Sequence, residues 1–269
     1  SAAREALGAF GDGTLYIERY VPNARHVEVQ ILGDRFGNVI HVGERDCSLQ
    51  RRYQKIVEEA PAWSLPEGLR ADMRDAAVTI AKESNYENAG TVEFIANQDD
   101  GKFYFLEMNT RIQVEHPVTE MITGTDLVEQ QIRIADGRPL AHSQSDIKFS
   151  GHAIECRINA ESPAHGFQPR PGRINEWRPP TGPGIRVDSH CHEGHIVSPH
   201  YDSLLAKLIV RGESRVQAVA GMQQALANFI VTGVETTIPF LRLLVCQLEY
   251  VKGTVNTRWL EEKLHDFTL

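Results

Sequence analysis

The segment FLEMNTRIQVEHP places Glu107, Asn109, Arg111, Gln113 and Glu115 on alternate positions, with Leu106, Met108, Ile112 and Val114 among the residues between them. Alternate residues of a strand share one face. If the segment stays extended, consecutive polar groups on that face stand about 6.6 Å apart and present carboxylate, amide, cation, amide and carboxylate in a line. Such a row can bind a ligand, and it also describes an antiparallel strand whose polar face meets water. The preceding hairpin bears on the choice. Asp99-Asp100-Gly101 suits a three-residue loop with Gly101 in the left-handed conformation, pairing Gln98 with Lys102 and setting Glu93 opposite Glu107. Two carboxylates facing each other across a ladder repel unless a cation lies between them. Glu93, Glu107 and Asn109 thus make a candidate oxygen site for Mg²⁺ or Mn²⁺, with water and phosphate completing the shell.

Three further groups carry potential chemistry. GERDCSLQRRYQKIVEEAP packs Arg45, Arg51, Arg52 and Lys55 among Glu44, Asp46, Glu58 and Glu59, and by itself reads as a solvated loop with surface ion pairs. HCHEGH, within DSHCHEGHIVSPHYDS, offers His190, His192 and His195 with Cys191 at spacings a zinc ion could use. The favoured reading is turn and strand residues, because alternation aligns His190 with His192 but leaves His200 beyond Pro199. Cys47 has no histidine-centred triad readable near it and is expected to be a packed thiol. Neither a dinucleotide fingerprint nor a P-loop signature occurs.

The elements that must position these residues follow from periodicity. LYIERYV, HVEVQIL and NVIHVGE alternate as strands around the turn GDRFGN, and a polar N-terminal helix leads into them. Ser64 and Glu67 are spaced as a capping box before a helix carrying Leu69, Met73, Ala76, Ala77 and Ile80. TVEFIA and KFYFLEMNTRIQVE form the second hairpin, and a helix over about Asp126–Ala135 closes the first domain. Beyond a boundary near residue 148, GHAIECRINAE, GRINEWRPP, GIRVDSH and AKLIVRGE are strand-like, and three helical stretches end the chain. The fold class is α+β.

With 269 residues, 41% of them hydrophobic, the chain can bury a large core, which excludes a disordered or fibrous protein. A formal net charge of −8 argues against general attraction to nucleic acid or anionic membranes. The four cysteines are scattered, without a CxxC pair, and fit a reducing cytoplasm.

The blocks HVEVQILGDRFGNVIHVGERDCSLQRRYQKIVEEAP, FLEMNTRIQVEHPVTEMITGTDLV, GHAIECRINAE and HYDSLLAKLIV together resemble, in order, those of biotin carboxylases. The resemblance covers essentially the whole chain. It implies the C-terminal part of an ATP-grasp domain, an antiparallel sheet with helices, over residues 1–147, followed by a biotin carboxylase C-terminal α+β domain over 148–269. The implied activity is a ligase reaction, ATP-dependent carboxylation of biotin by bicarbonate through carboxyphosphate.

By this resemblance Glu93, Glu107 and Asn109 hold the divalent ions. Glu18, Arg19, Tyr20, Val21, His26, Gln50 and Tyr53 lie at the nucleotide. Lys55, Arg111, Gln113, Val114 and Glu115 surround bicarbonate, with Glu115 as base, and Arg157 stabilises the enolate-like oxygen of biotin. Tyr53 departs from the family, which commonly has histidine there; tyrosine stacks and hydrogen-bonds but does not become cationic near neutral pH. The implied partners are a biotin carboxyl carrier, a carboxyltransferase and a second copy, with Arg186 as a candidate dimer contact. Carbamoyl-phosphate-type ligation and a non-catalytic role in dimerisation or carrier binding are the competing functions. The family's preceding domain, glycine-rich lid and phosphate-binding lysines would precede residue 1, so the isolated chain is expected to turn over little or not at all. A steady-state ATPase assay checks this, and full rates dependent on bicarbonate and biotin would contradict it.

Overall fold

The alternation in ARHVEVQILG and VIHVGERDCSLQR folds into a hairpin of β1 (Ala24–Gly33) and β2 (Val39–Arg51) in the computed structural model of the chain, which describes residues 1–267. β3 (Gln54–Ala60) returns along β2 through Arg52 and Tyr53, whose φ values of 48° and 64° give the doubly left-handed turn that matches strand twist. β4 (Asn88–Asn97) pairs with β1, and β5 (Lys102–Asn109) with β4. On the far side β6 (His152–Asn159) pairs with β3. Short ribbons then join β7 (Glu161–Ser162) to β8 (Gln168–Pro169), β9 (Gly172–Arg173) to β12 (Ile196–Val197), and β10 (Glu176–Arg178) to β14 (Ile230–Thr232). With β11 (Ile185–Ser189) and β13 (Leu204–Gly212), the main strands form one eight-stranded sheet in the order β11-β13-β6-β3-β2-β1-β4-β5, every neighbouring pair antiparallel.

Helices cover the apolar sides. α1 (Ala2–Phe10) buries no residue. α2 (Glu67–Glu83) lays Met73, Ala77 and Ala81 against Val27, Val29 and Ile31 of β1 and Val92, Phe94 and Ala96 of β4. α3 (His116–Thr123) packs on β6 and β2, and α4 (Leu127–Ala135), whose Asp126 carboxylate accepts from the Glu129 N–H at 2.8 Å, packs on β4. α5 (Arg215–Asn228), α6 (Ile238–Leu244), α7 (Leu248–Lys252) and α8 (Trp259–Lys263) build a second core with Ile154, Ile158 and Leu208. Among the described residues no helix is long and apolar enough to cross a membrane.

The structure corrects several expectations. LYIERYV is not a strand: it leads into β1, which already has β2 on one side and β4 on the other, and its Ile17 is fully exposed. The Ser64–Glu67 capping box does not form. Pro66 is the N-cap, Ser64 Oγ instead donates to Asp46 at 3.5 Å, and Glu67 pairs with Arg70 and Arg74. The helix α3, in HPVTEMIT, was not anticipated, and TTIPFLRLLVCQLEY breaks into α6 and α7 where Gln247 turns extended.

Met73 tests the packing of α2. Met73→Ala is expected to lower stability by about 2–5 kcal/mol in urea denaturation, whereas exposed Asp72→Ala stays within about 0.5 kcal/mol. Equal effects of the two would contradict the described core.

Candidate functional site

β1 is buried along its whole length, yet only one of its faces is apolar. His26, Glu28 and Gln30 occupy the other and meet Thr91 and Glu93 of β4, because register pairs Gln30 with Thr91 and Glu28 with Glu93. A polar face without water must satisfy itself. Arg45 of β2, fully buried, does much of this. It donates to Glu28 at 2.5 Å, Gln30 at 2.9 Å, Thr119 at 3.0 Å, Gln113 at 3.2 Å and Thr91 at 3.3 Å, joining three strands, α3 and the loop before it. Lys55 of β3 adds three contacts from one ammonium: Glu28 at 2.5 Å, Glu115 at 2.7 Å and Glu93 at 3.1 Å.

These contacts set the charges. Burial would raise Glu28, but Arg45 and Lys55 hold it down to about 2. Glu93 is likewise pushed up by burial and brought down to about 2 by the hydrogen bond from His26, the charge of Lys55 and the Gln113 amide. Lys55 itself is lowered by burial and raised far more by its carboxylates. Gln50 contacts His26 Nδ1 at 2.7 Å, and His26 Nε2 reaches Glu93 at 2.6 Å, so a polar chain runs from Gln50 to Glu93.

Glu107 does lie opposite Glu93, by a different route from the expected one. Asn97, not Gln98, pairs with Lys102, and Leu106 is extruded as a bulge that restores the Glu93–Glu107 pairing. Gly101 is left-handed as expected. The five-residue row, however, is not one strand face. β5 ends at Asn109, and the chain then turns into the loop leading to α3, with Glu115 as the N-cap residue. Two of the later members return to the same place by side chain: Gln113 Nε2 donates to Glu93 at 2.7 Å, and Glu115 sits between Lys55 at 2.7 Å and Arg157 of β6 at 2.9 Å. Arg111 donates only to the Ile112 carbonyl, at 3.3 Å, so among the described residues its guanidinium carries no carboxylate.

The run GERDCSLQRRYQKIVEEAP is not a solvated loop. It forms β2 and β3, and its acids are buried, each bound by side chains from elsewhere: Glu44 by Arg70 and Arg74, Asp46 by Arg25, Glu58 by Arg157, Glu59 by Arg215 and the His152 imidazole. Cys47 is fully buried and burial pushes its thiol well up, as befits a packed group. Glu58 faces Glu155 across the β3–β6 ladder, both fully buried. Burial and the charge of Glu115 raise Glu58 to about 7 against the pull of Arg157; burial and Glu58 raise Glu155 well above its ordinary range. Glu28 and Glu155 were missed in the sequence, and Arg45 and Glu58 were read only as members of a solvated loop. The alternation of HVEVQIL held the signal, since it puts Glu28 beside His26.

A cavity of about 1200 Å³ opens against this face, lined by Lys55, Arg111, Gln113, Val114, Glu115 and Arg157, with Tyr53 at its rim. Lys207 steadies the loop by donating to the Val114 carbonyl at 3.0 Å. Glu18, Arg19 and Tyr20 stand exposed and Val21 half-buried in the irregular segment before β1: Arg19 donates to the Tyr104 hydroxyl at 3.0 Å, and Arg258 to that of Tyr20 at 2.9 Å. His26 and Gln50 are buried behind Glu93 rather than on the cavity wall.

The oxygen set fits a hard divalent ion. The Asn109 amide lies between the two carboxylates, 2.9 Å from Glu93 and 3.2 Å from Glu107, so positive hydrogens occupy the place where a cation would relieve the repulsion. Glu107 remains exposed.

Residues 1–143 match the family model for the carbamoyl-phosphate synthase L chain ATP-binding domain, and residues 155–262 match that for the biotin carboxylase C-terminal domain. An ATP-grasp domain joined to that C-terminal domain defines the class. Biotin carboxylase 1 of Bacillus subtilis is 52% identical over 258 residues, spanning 96% of this chain and 57% of that protein. The biotin carboxylase of Haemophilus influenzae is 51% identical over 260 residues, spanning 97% of this chain and 57% of its own length. The biotin carboxylase domain of a thermophilic 2-oxoglutarate carboxylase, solved bound to bicarbonate, superposes with a TM-score of 0.95 at 51% identity, covering 100% of this chain and 60% of that one. The chain belongs to the biotin carboxylase family and spans little more than half the length of these curated relatives.

The charges also fix an acid limb of stability. Burial raises Glu59, but His152 and Arg215 hold it down to about 2 from an ordinary 4.5, so its contribution is present above pH 4.5 and lost as pH falls through 2. Glu59→Gln should flatten the loss of denaturation midpoint over that window. An unchanged acid slope would contradict the pairing.

Proposed function

We propose that the protein carrying this chain carboxylates biotin with ATP and bicarbonate, and that this chain supplies the bicarbonate site and the metal ligands. The observation that carries the reading is Glu115, clamped between Lys55 and Arg157 on the wall of a cavity to which Arg111 brings a guanidinium that, among the described residues, holds no carboxylate. A forked guanidinium suits a planar oxyanion, so Arg111 holds bicarbonate, flanked by Lys55, Gln113 and the Val114 backbone. Glu115 takes the bicarbonate proton. The freed oxygen attacks the γ-phosphorus of ATP, the bond to the bridging oxygen breaks, and ADP leaves carboxyphosphate behind. Carboxyphosphate parts into CO₂ and phosphate. Phosphate takes the ureido proton of biotin, whose nitrogen attacks CO₂, while Arg157 stabilises charge on the ureido oxygen.

Glu93, Glu107 and Asn109 would hold Mg²⁺ or Mn²⁺, which when bound neutralises charge on the phosphates. The structure of the Hydrogenobacter thermophilus 2-oxoglutarate carboxylase biotin carboxylase domain is described as a dimer in complex with MgADP, ADP and bicarbonate, with a TM-score of 0.94 at 51% identity, which supports the same ligands here. Glu18, Arg19, Tyr20, Val21, His26, Gln50 and Tyr53 are assigned to the nucleotide side, His26 and Gln50 acting through Glu93. We divide the chain near residue 148, a biotin carrier and a carboxyltransferase being partners of the whole protein. A homodimer through the C-terminal part is proposed with Arg186, which within the chain already binds Glu120 at 2.7 Å and Asp188. Four free cysteines favour a reducing compartment such as the cytoplasm.

In the protein carrying this chain, Glu115→Gln is expected to lower bicarbonate-dependent ATP hydrolysis by about 10²–10⁴-fold in kcat while nucleotide still binds. Arg111→Ala should chiefly raise the bicarbonate KM. Near-normal turnover of the Gln variant would remove Glu115 from the role of base.

A further inference from the structure

HCHEGH has no part in the chemistry above, yet the structure gathers it. His190 and Cys191 directly follow β11, and His195 directly precedes β12. One donor atom from each lies within 4.8 Å of the others, and Cys191 Sγ stands 3.7 Å from His190 Nε2. With Zn–S of about 2.3 Å and Zn–N of about 2.1 Å, a tetrahedral zinc ion separates a sulfur and a nitrogen ligand by about 3.6 Å. We propose that His190, Cys191 and His195 form a zinc site on the wall of the cavity that also presents Arg111 and Glu115.

Two features support it. The loop is already fixed in a chelating shape: Cys191 N–H donates to Ser189 Oγ at 2.9 Å, Ser189 Oγ to the Leu205 carbonyl at 2.6 Å, and Gly194 N–H to the Ile174 carbonyl at 2.8 Å. Among the described residues the imidazoles of His190 and His195 have no carboxylate or carbonyl partner that would explain their crowding, although the ring centroids of His190 and His192 lie 5.1 Å and 5.5 Å from that of His195.

His192 lies outside this group of three, its ring centroid 5.5 Å from that of His195. His192 Nδ1 donates to the Glu193 carbonyl at 2.8 Å, leaving Nε2 with the free lone pair. Imidazole and thiolate select zinc, whereas the carboxylates and amide at Glu93 select a hard ion, so the two sites sort their metals. His190 and His195 both line the cavity, so a bound ion would share it with the proposed bicarbonate site.

The test uses the intact protein carrying this chain, stripped of metal and titrated with Zn²⁺ by calorimetry in excess Mg²⁺, together with Co²⁺ absorption. One zinc per chain is expected, with a thiolate-to-cobalt charge-transfer band in the near ultraviolet. Cys191→Ser should abolish the band, and Cys191→Ser and His195→Ala should each weaken zinc by at least about tenfold. Absence of the thiolate band in the unmodified protein, or zinc affinity unchanged in both variants, would overturn the site without reference to how the variants fold.

Discussion

Arg45 and Lys55 balance the carboxylates of a largely buried sheet face, and the rest of the site depends on their contacts. A carboxylate taken out of water keeps its charge only where cations and N–H groups replace its hydration. Glu28 is fully buried between these two cations, and Glu93 and Glu115 are nearly so. Because Lys55 touches all three acids, their mutual positions are set by one ammonium. Removing any member strands the others, so the network specifies where the groups stand as much as it stabilises the fold.

The same constraint explains which cations remain available. Arg45 is used up in the interior, and Arg157 is tied to Glu58 and Glu115. Arg111, on the loop where β5 has ended, is left to face the cavity. Arg157 reaches Glu115 only because β6 pairs with β3 and carries the sheet across residue 148. Neither half of the chain contains the pocket by itself.

Much of this was legible in the sequence, for identifiable reasons. The opposition of Glu93 and Glu107 followed from strand periodicity and a glycine turn, although the loop is one residue longer than expected and the Leu106 bulge compensates. The row beyond Asn109 was misread as strand because alternation continues through a loop whose side chains return by packing, not pleat. Pro117 and Gly124, at the start and end of HPVTEMIT, were helix signals in plain view. The charged run was misread because composition says nothing about partners distant in sequence, such as Arg215 for Glu59 or Arg157 for Glu58. No spacing rule joins residues 55, 115 and 157. Family resemblance supplied them, and the fold brings them within hydrogen-bonding distance.

The claim that buried charges act as one unit is tested most directly by a double-mutant cycle on Glu28 and Arg45, read as the free energy of urea unfolding of the protein carrying this chain. Glu28→Gln and Arg45→Met are each expected to cost about 3–5 kcal/mol, since each leaves its partner buried without compensation. The double variant should cost much less than the two together, with a coupling energy of at least about 2 kcal/mol. Simple additivity would contradict the account, showing that the two charges do not depend on one another.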